Sequence, residues 1–246
     1  MKAILITGGG SGIGQALAWE SAKHGMQVFI VGRRLDQLQE TAVHFPNQIM
    51  PIQADVSLEA DRAKIVAALK NTEIDYIVHN AGVAEPFAVL PELDVNAWRK
   101  TIAINLEAPI FLTQSLLPHL KRKSRVLNIS TGLTHRPLRG ALAYCTSKAA
   151  LYMATQCFNL ELNHRGIFVG SVMPGVVDTE MQIKLRAQDK SKLPDVDMFR
   201  GFKEQGVLRS PTDVANLLFQ FLEKAPNDTF AEKDWSIDEL AVMFGQ

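Results

Sequence analysis

Short apolar runs rich in β-branched residues alternate along the chain with longer segments of mixed polarity. Ala3–Thr7, Gln27–Val31, Ile49–Gln53, Ile74–His79, Arg125–Ser130 and Ile167–Met173 read as strands. Helical periodicity predicts helices over Gly14–Lys23, Asp36–Val43, Leu58–Leu69, Val95–Leu120, Ala143–His164 and Thr212–Glu223. The last opens with Ser-Pro-Thr-Asp, which supplies a cap and a first-turn proline. Such alternation predicts an α/β fold: a single domain over 1–246 with a doubly wound parallel sheet of six to seven strands, helices on both faces. Pro51 would break the ladder of a central strand, but in the order 3-2-1-4-5-6 the third strand is an edge. Residues 179–210 show no clear period and predict a long substrate loop. Asp228–Gln246 shows no clear last strand.

Charge narrows the partners. Twenty-six Lys and Arg balance 26 Asp and Glu, so no overall positive field draws the chain to nucleic acid or an anionic membrane. No apolar stretch reaches the roughly 18 residues of a membrane span. The apolar N-terminal run is too short for a signal-peptide core. Cys145 and Cys157 fall on one predicted helix about 18 Å apart, too far to bridge. These features predict a cytoplasmic protein. The six histidines lack metal-ligand spacing, so no metal is expected. No Gly-x-Ser-x-Gly elbow supports a serine hydrolase.

The first strand runs into Thr7-Gly8-Gly9-Gly10-Ser11-Gly12-Ile13-Gly14, and a helix follows. In that context Gly8, Gly10, Ser11, Gly12, Ile13 and Gly14 form a cradle for a pyrophosphate at a helix N-terminus. The second strand ends Val31-Gly32-Arg33-Arg34. It has no acid to take a ribose 2′-hydroxyl, and Arg33 and Arg34 suit a 2′-phosphate, so NADP(H) is the expected cofactor. Tyr144 and Lys148 lie four apart and share a helix face. An ammonium there is expected to lower the phenol's pKa from about 10 and equip it for proton transfer.

With these pieces the chain resembles the short-chain dehydrogenase/reductase family from Lys2 to about Ala225. The resemblance rests on the glycine loop, Asp55-Val56, His79-Asn80-Ala81-Gly82, Asn105, Ser130-Thr131, Tyr144, Lys148 and Pro174-Gly175-Val176-Val177-Asp178-Thr179. It implies hydride transfer to a carbonyl carbon while Tyr144 protonates the oxygen. Asp55 would bind the adenine amino group, Asn80 and Ala81 the adenosine ribose region, and Val177 and Thr179 the nicotinamide carboxamide, with Val56, Gly82, Pro174 and Gly175 also among the cofactor-binding residues. Lys148 would hold the nicotinamide ribose, and Asn105 would anchor a water that feeds protons to it. Where the family has its substrate-polarising serine this chain has Thr131, with Ser130 as the fallback. His79 stands where the family often has asparagine and reads as a packed residue.

Local wording such as Ala143-Tyr-Cys-Thr-Ser-Lys-Ala and Pro174-Gly-Val-Val-Asp-Thr-Glu-Met-Gln is similar to the sepiapterin-reductase and benzil-reductase branch. That branch implies reduction of vicinal dicarbonyls with NADPH. The family also implies a homodimer or homotetramer paired through the helices that begin near Val95 and Ala143. The pocket walls are expected at Ala84–Phe87, Leu133–Arg136 and the loop with Met181, Met198, Phe199 and Phe202. His135 and Arg136 either meet a polar substituent or face water. The alternative to an enzyme is a non-catalytic NADP(H)-binding sensor or scaffold, against which the intact Tyr144, Lys148 and Asn105 argue.

Overall fold

The computed structural model describes residues 1–245; the expected domain end at Gln246 lies outside the described residues. Seven parallel strands form one sheet: β1 (Ala3–Thr7), β2 (Gln27–Gly32), β3 (Ile49–Gln53), β4 (Ile74–His79), β5 (Leu120–Ile129), β6 (Phe168–Met173) and β7 (Asp234–Ser236). Their order is β3-β2-β1-β4-β5-β6-β7, the expected one extended by a seventh strand. Pro51 pairs opposite Ile30 on the edge strand.

The helices are α1 (Gly12–Lys23), α2 (Leu35–Ala42), α3 (Glu59–Leu69), α4 (Val95–Ile102), α5 (Ala108–Leu116), α6 (Leu142–Leu162), α7 (Glu180–Arg186), α8 (Val196–Glu204), α9 (Pro211–Lys224), α10 (Asn227–Ala231) and α11 (Ile237–Phe244). They cover both faces of the sheet. In β1, Ile4 and Ile6 join a core with Leu17 and Phe221, while Ala3 and Leu5 join another with Ile65 and Leu112. Burial on both faces explains why the strands read as unbroken apolar runs.

Three expectations change. The predicted helix Val95–Leu120 is broken by a wide π turn at Ala103–Glu107 and ends in a 3-10 turn at Leu117–His119. Pro109 sits in the first turn of α5; having no N–H, it cannot donate the i−4 bond to the Asn105 carbonyl. The fifth strand begins at Leu120, earlier than Arg125, because exposed Lys121–Lys123 hide its start. The expected loop 179–210 holds α7 and α8, whose Leu185, Val196 and Phe199 are buried while the positions around them are mostly exposed.

The C-terminal segment is tied on by Arg125. Its guanidinium donates to the carbonyls of Phe221, Leu222 and Ala225 and to Asn227 Oδ1 at 2.6–3.2 Å, capping α9, and it stacks over Phe230. This brings β7 beside β6 with Asp234 opposite Ser171. Among the described residues no helix is long and apolar enough to cross a membrane, and no cluster of metal-ligating side chains is present.

Candidate active site

A cavity of about 600 Å³ lies beyond the C-terminal strand ends, where a doubly wound sheet binds ligands. One end is the glycine loop. Gly8 and Gly12 have φ of +71° and +55°, which only glycine adopts without strain. Ser11 caps α1 without a side-chain bond to the helix, and no acid occupies its first turn. The first amides of α1 are thus left for an anion, and the residues present fit a pyrophosphate. Gly8, Gly10, Ser11, Gly12 and Ile13 line the cavity.

Gly14, expected in the cradle, is buried behind it. A Cβ there would run into the Gly8 carbonyl and lie 2.5 Å from Asn80 Nδ2, so Gly14 serves close packing. Asn80 Nδ2 donates to the carbonyls of Thr7 and Gly8 at 3.0 and 3.2 Å. The Thr7 hydroxyl accepts from the amides of Asn80 and Ala81, both at 3.1 Å. The Asn80 side chain therefore holds the glycine loop to β4.

Arg33, Arg34, Asp55, Val56, Ala81 and Gly82 also line the cavity. Each arginine faces an acid: Arg33 lies 3.9 Å from Asp55, and Arg34 3.0 Å from Glu180 on α7. Glu180, at the start of α7, thus reaches across the cleft to the end of β2. Nothing in its spacing marked it beforehand, because the pair joins residues 146 apart in sequence.

At the other end the cavity wall brings together Ser130, Thr131, Tyr144, Lys148, Pro174, Gly175, Val177 and Thr179. Tyr144 and Lys148 are 9 % and 4 % exposed. The Thr131 hydroxyl faces the phenol and accepts from the Leu133 amide at 3.4 Å. Ser130 turns away and donates to Asp234 at 2.6 Å. Lys148 Nζ donates to the Ile129 carbonyl at 2.7 Å.

The expected acidification of the phenol is reversed. Burial pushes Tyr144 up to about 12, partly offset by the Thr131 hydroxyl. Burial brings Lys148 down to about 8, opposed by the charge of Asp234. His79 is fully buried against Thr113 Oγ1 at 2.8 Å and is lowered to about 3 by burial and then by Lys148. It is a neutral, packed residue, as read from the sequence.

Asn105, expected in the site, is fully buried and does not line the cavity. It grips Val83, taking its amide at 2.9 Å and donating to its carbonyl at 2.8 Å, and donates to Ser147 at 3.0 Å. A methyl on Gly82 would lie 3.4 Å from Asn105 Oδ1 and 3.6 Å from Lys148 Nζ. Gly82 thus leaves open the space between them.

Phe87, Leu133, Leu138, Met181, Leu185 and Phe199 make the remaining wall largely apolar. Of the two polar candidates there, His135 bonds Asp234 at 3.0 Å. Arg136 lines the cavity beside Gly132 and, among the described residues, has no acid within ion-pair distance.

Fold and cavity together define a dinucleotide-binding oxidoreductase. The chain belongs to the short chain dehydrogenase family, whose model matches residues 2–190. It is 34% identical to an uncharacterized oxidoreductase of Schizosaccharomyces pombe over 95% of this chain and 96% of that one. It is 31% identical to a benzil reductase, (S)-benzoin forming, of Bacillus subtilis over 91% of this chain and 94% of the relative. A solved short-chain dehydrogenase/reductase of Saccharomyces cerevisiae superposes with a TM-score of 0.90 at 28% identity, covering 98% of this chain and 99% of that one. The family uses nicotinamide cofactors, and the benzil reductase likeness agrees with the branch read from local wording.

Proposed function

We propose that the protein reduces a ketone or a vicinal dicarbonyl to an alcohol with NADPH, and that Tyr144 gives the proton to the carbonyl oxygen. One observation carries this reading: Thr131, Tyr144 and Lys148 line one end of a cavity whose other end is the glycine loop. A bound nicotinamide would supply the hydride. Thr131 donates a hydrogen bond to the carbonyl oxygen as negative charge develops there. Tyr144, with its pKa near 12, is protonated at neutral pH and acts as an acid, not a base. Lys148, near 8, restores that proton. The apolar walls keep water from the reacting carbon.

The preference for NADPH rests on Arg33 and Arg34 and on the lack of an acid at the end of β2. A 2′-phosphate would replace Glu180 as the partner of Arg34. The dicarbonyl class is supported by the benzil reductase relatives. Exposed Phe111 on α5 and Met153 on α6 support pairing of these helices between copies in a homodimer or homotetramer.

The test follows loss of NADPH absorbance with a panel of ketones and diketones, NADH in parallel. Turnover of a dicarbonyl with NADPH is expected, with Tyr144→Phe abolishing turnover but not NADPH binding. Turnover retained in Tyr144→Phe removes the tyrosine from its role. NADPH binding without turnover of any carbonyl by the natural chain supports a sensor instead.

A further inference from the structure

Asp234 belongs to none of the motifs above. It opens β7, the shortest strand, yet its side chain is only 2% exposed. Oδ1 accepts from Ser130 at 2.6 Å and from Ser171 at 2.7 Å. Oδ2 lies 3.0 Å from His135 Nε2. Ser171 is its register partner on β6, so that bond joins neighbouring strands. The other two reach a different element: Ser130 precedes, and His135 follows, the short stretch 131–134.

That stretch is where the proposed carbonyl-binding hydroxyl sits. Thr131 stands at the head of a single 3-10 turn, Gly132–Thr134, closed by one backbone bond from Thr134 to Thr131. Such a turn has little stiffness of its own. A carboxylate gripping both ends supplies it, through hydrogen bonds strengthened by its charge.

We infer that Asp234 is a positioning residue for the proposed reduction: it clamps both ends of the Thr131 turn and keeps the Thr131 hydroxyl on Tyr144. The inference rests on the reductase reading only for its effect on rate. The same carboxylate acts on Lys148. Of the groups around that ammonium, His79 on β4 is neutral and the Tyr144 phenol is protonated, which leaves Asp234 as the negative charge that favours the ammonium.

The test uses Asp234→Asn, which keeps size but removes charge and one acceptor oxygen, and Ser130→Ala, which opens one end of the clamp with the charge intact. Three quantities are read: kcat against pH, NADPH affinity by fluorescence titration, and the Thr131 methyl signal in threonine-labelled protein. Both variants are expected to lose up to about 100-fold in kcat, the cost of a reacting group held about 1 Å out of place. Their NADPH affinity stays that of the natural chain. Only Asp234→Asn moves the alkaline limb of kcat to lower pH, which loosened packing alone would not do. The Thr131 methyl shifts or broadens in both, and this is read without turnover. Natural kcat and limb position in Asp234→Asn overturn the inference while leaving the reductase intact. If the natural chain reduces no carbonyl, the reductase reading falls instead, and an unmoved Thr131 methyl in both variants then overturns the clamp by itself.

Discussion

Replacing Lys148 by methionine should make the protein more stable while ending its activity. In the folded chain the ammonium titrates near 8 instead of 10.5 because burial disfavours its charge. At pH 7 the lysine is charged in both states, so folding carries the whole penalty of about 3 kcal/mol at roughly 1.4 kcal/mol per unit. Methionine avoids it and fills similar space, but gives up the 2.7 Å bond to the Ile129 carbonyl, worth about 1 kcal/mol. The net gain is about 2 kcal/mol, or about 5 °C in Tm for a chain of this length. The sign with pH is fixed by linkage. Between pH 8 and 10.5 the unfolded lysine holds a proton that the folded one has lost, so the natural chain gains stability across this window. The variant has no such group. Its advantage should therefore be full below pH 8 and shrink toward pH 10.5, where only the lost hydrogen bond remains. Urea denaturation of both cofactor-free proteins at several pH values measures the difference directly. A variant less stable at pH 7, or a gap that does not narrow with pH, refutes the argument that burial of an ammonium dominates at this site.

Other outcomes follow from single contacts. Gly14→Ala should lose about 1–3 kcal/mol of stability and weaken NADPH binding, read by melting and fluorescence titration, because its methyl collides with Gly8 and Asn80. Arg125→Met should cost about 3 kcal/mol by denaturation, since it strips the buried donors from three carbonyls and Asn227. The rate of reduction should fall as pH rises through about 8, where Lys148 loses its proton while Tyr144, near 12, keeps its own; a flat stopped-flow profile from pH 7 to 9.5 counts against a proton supply through Lys148. Arg136→Gln should raise KM about 3-fold for a ketone bearing a carboxylate, the worth of one exposed ion pair, and leave a neutral diketone unchanged in steady-state assays.

What the sequence made legible is what local periodicity and short spacing encode. Strands buried on both faces show as apolar runs, Pro51 marks its edge, and Gly8–Gly14 announces a turn into a helix. Tyr144 and Lys148 are four apart, so one helix aligns them without help from the rest of the chain. Even the break at Asn105 was written locally, in Pro109, but the strong apolar pattern over 95–120 outweighed it. The features that escaped reading join residues far apart: Arg34 with Glu180, and Asp234 with Ser130 across 104 positions. No spacing rule links such pairs, because their meeting depends on the order of strands in the sheet. Asp234 reaches the site only because β7 lies beside β6, and Arg125 holds that C-terminal segment in place. The acidity of Tyr144 was misjudged for a related reason. Helical spacing places a cation on the same face but does not show the depth of burial, and at 9 % exposure burial dominates, with the Thr131 hydroxyl and not the lysine offsetting it. An unperturbed phenol is already protonated at neutral pH; burial widens that margin, so in the proposed reaction the tyrosine gives up its proton only once the carbonyl oxygen has gained negative charge.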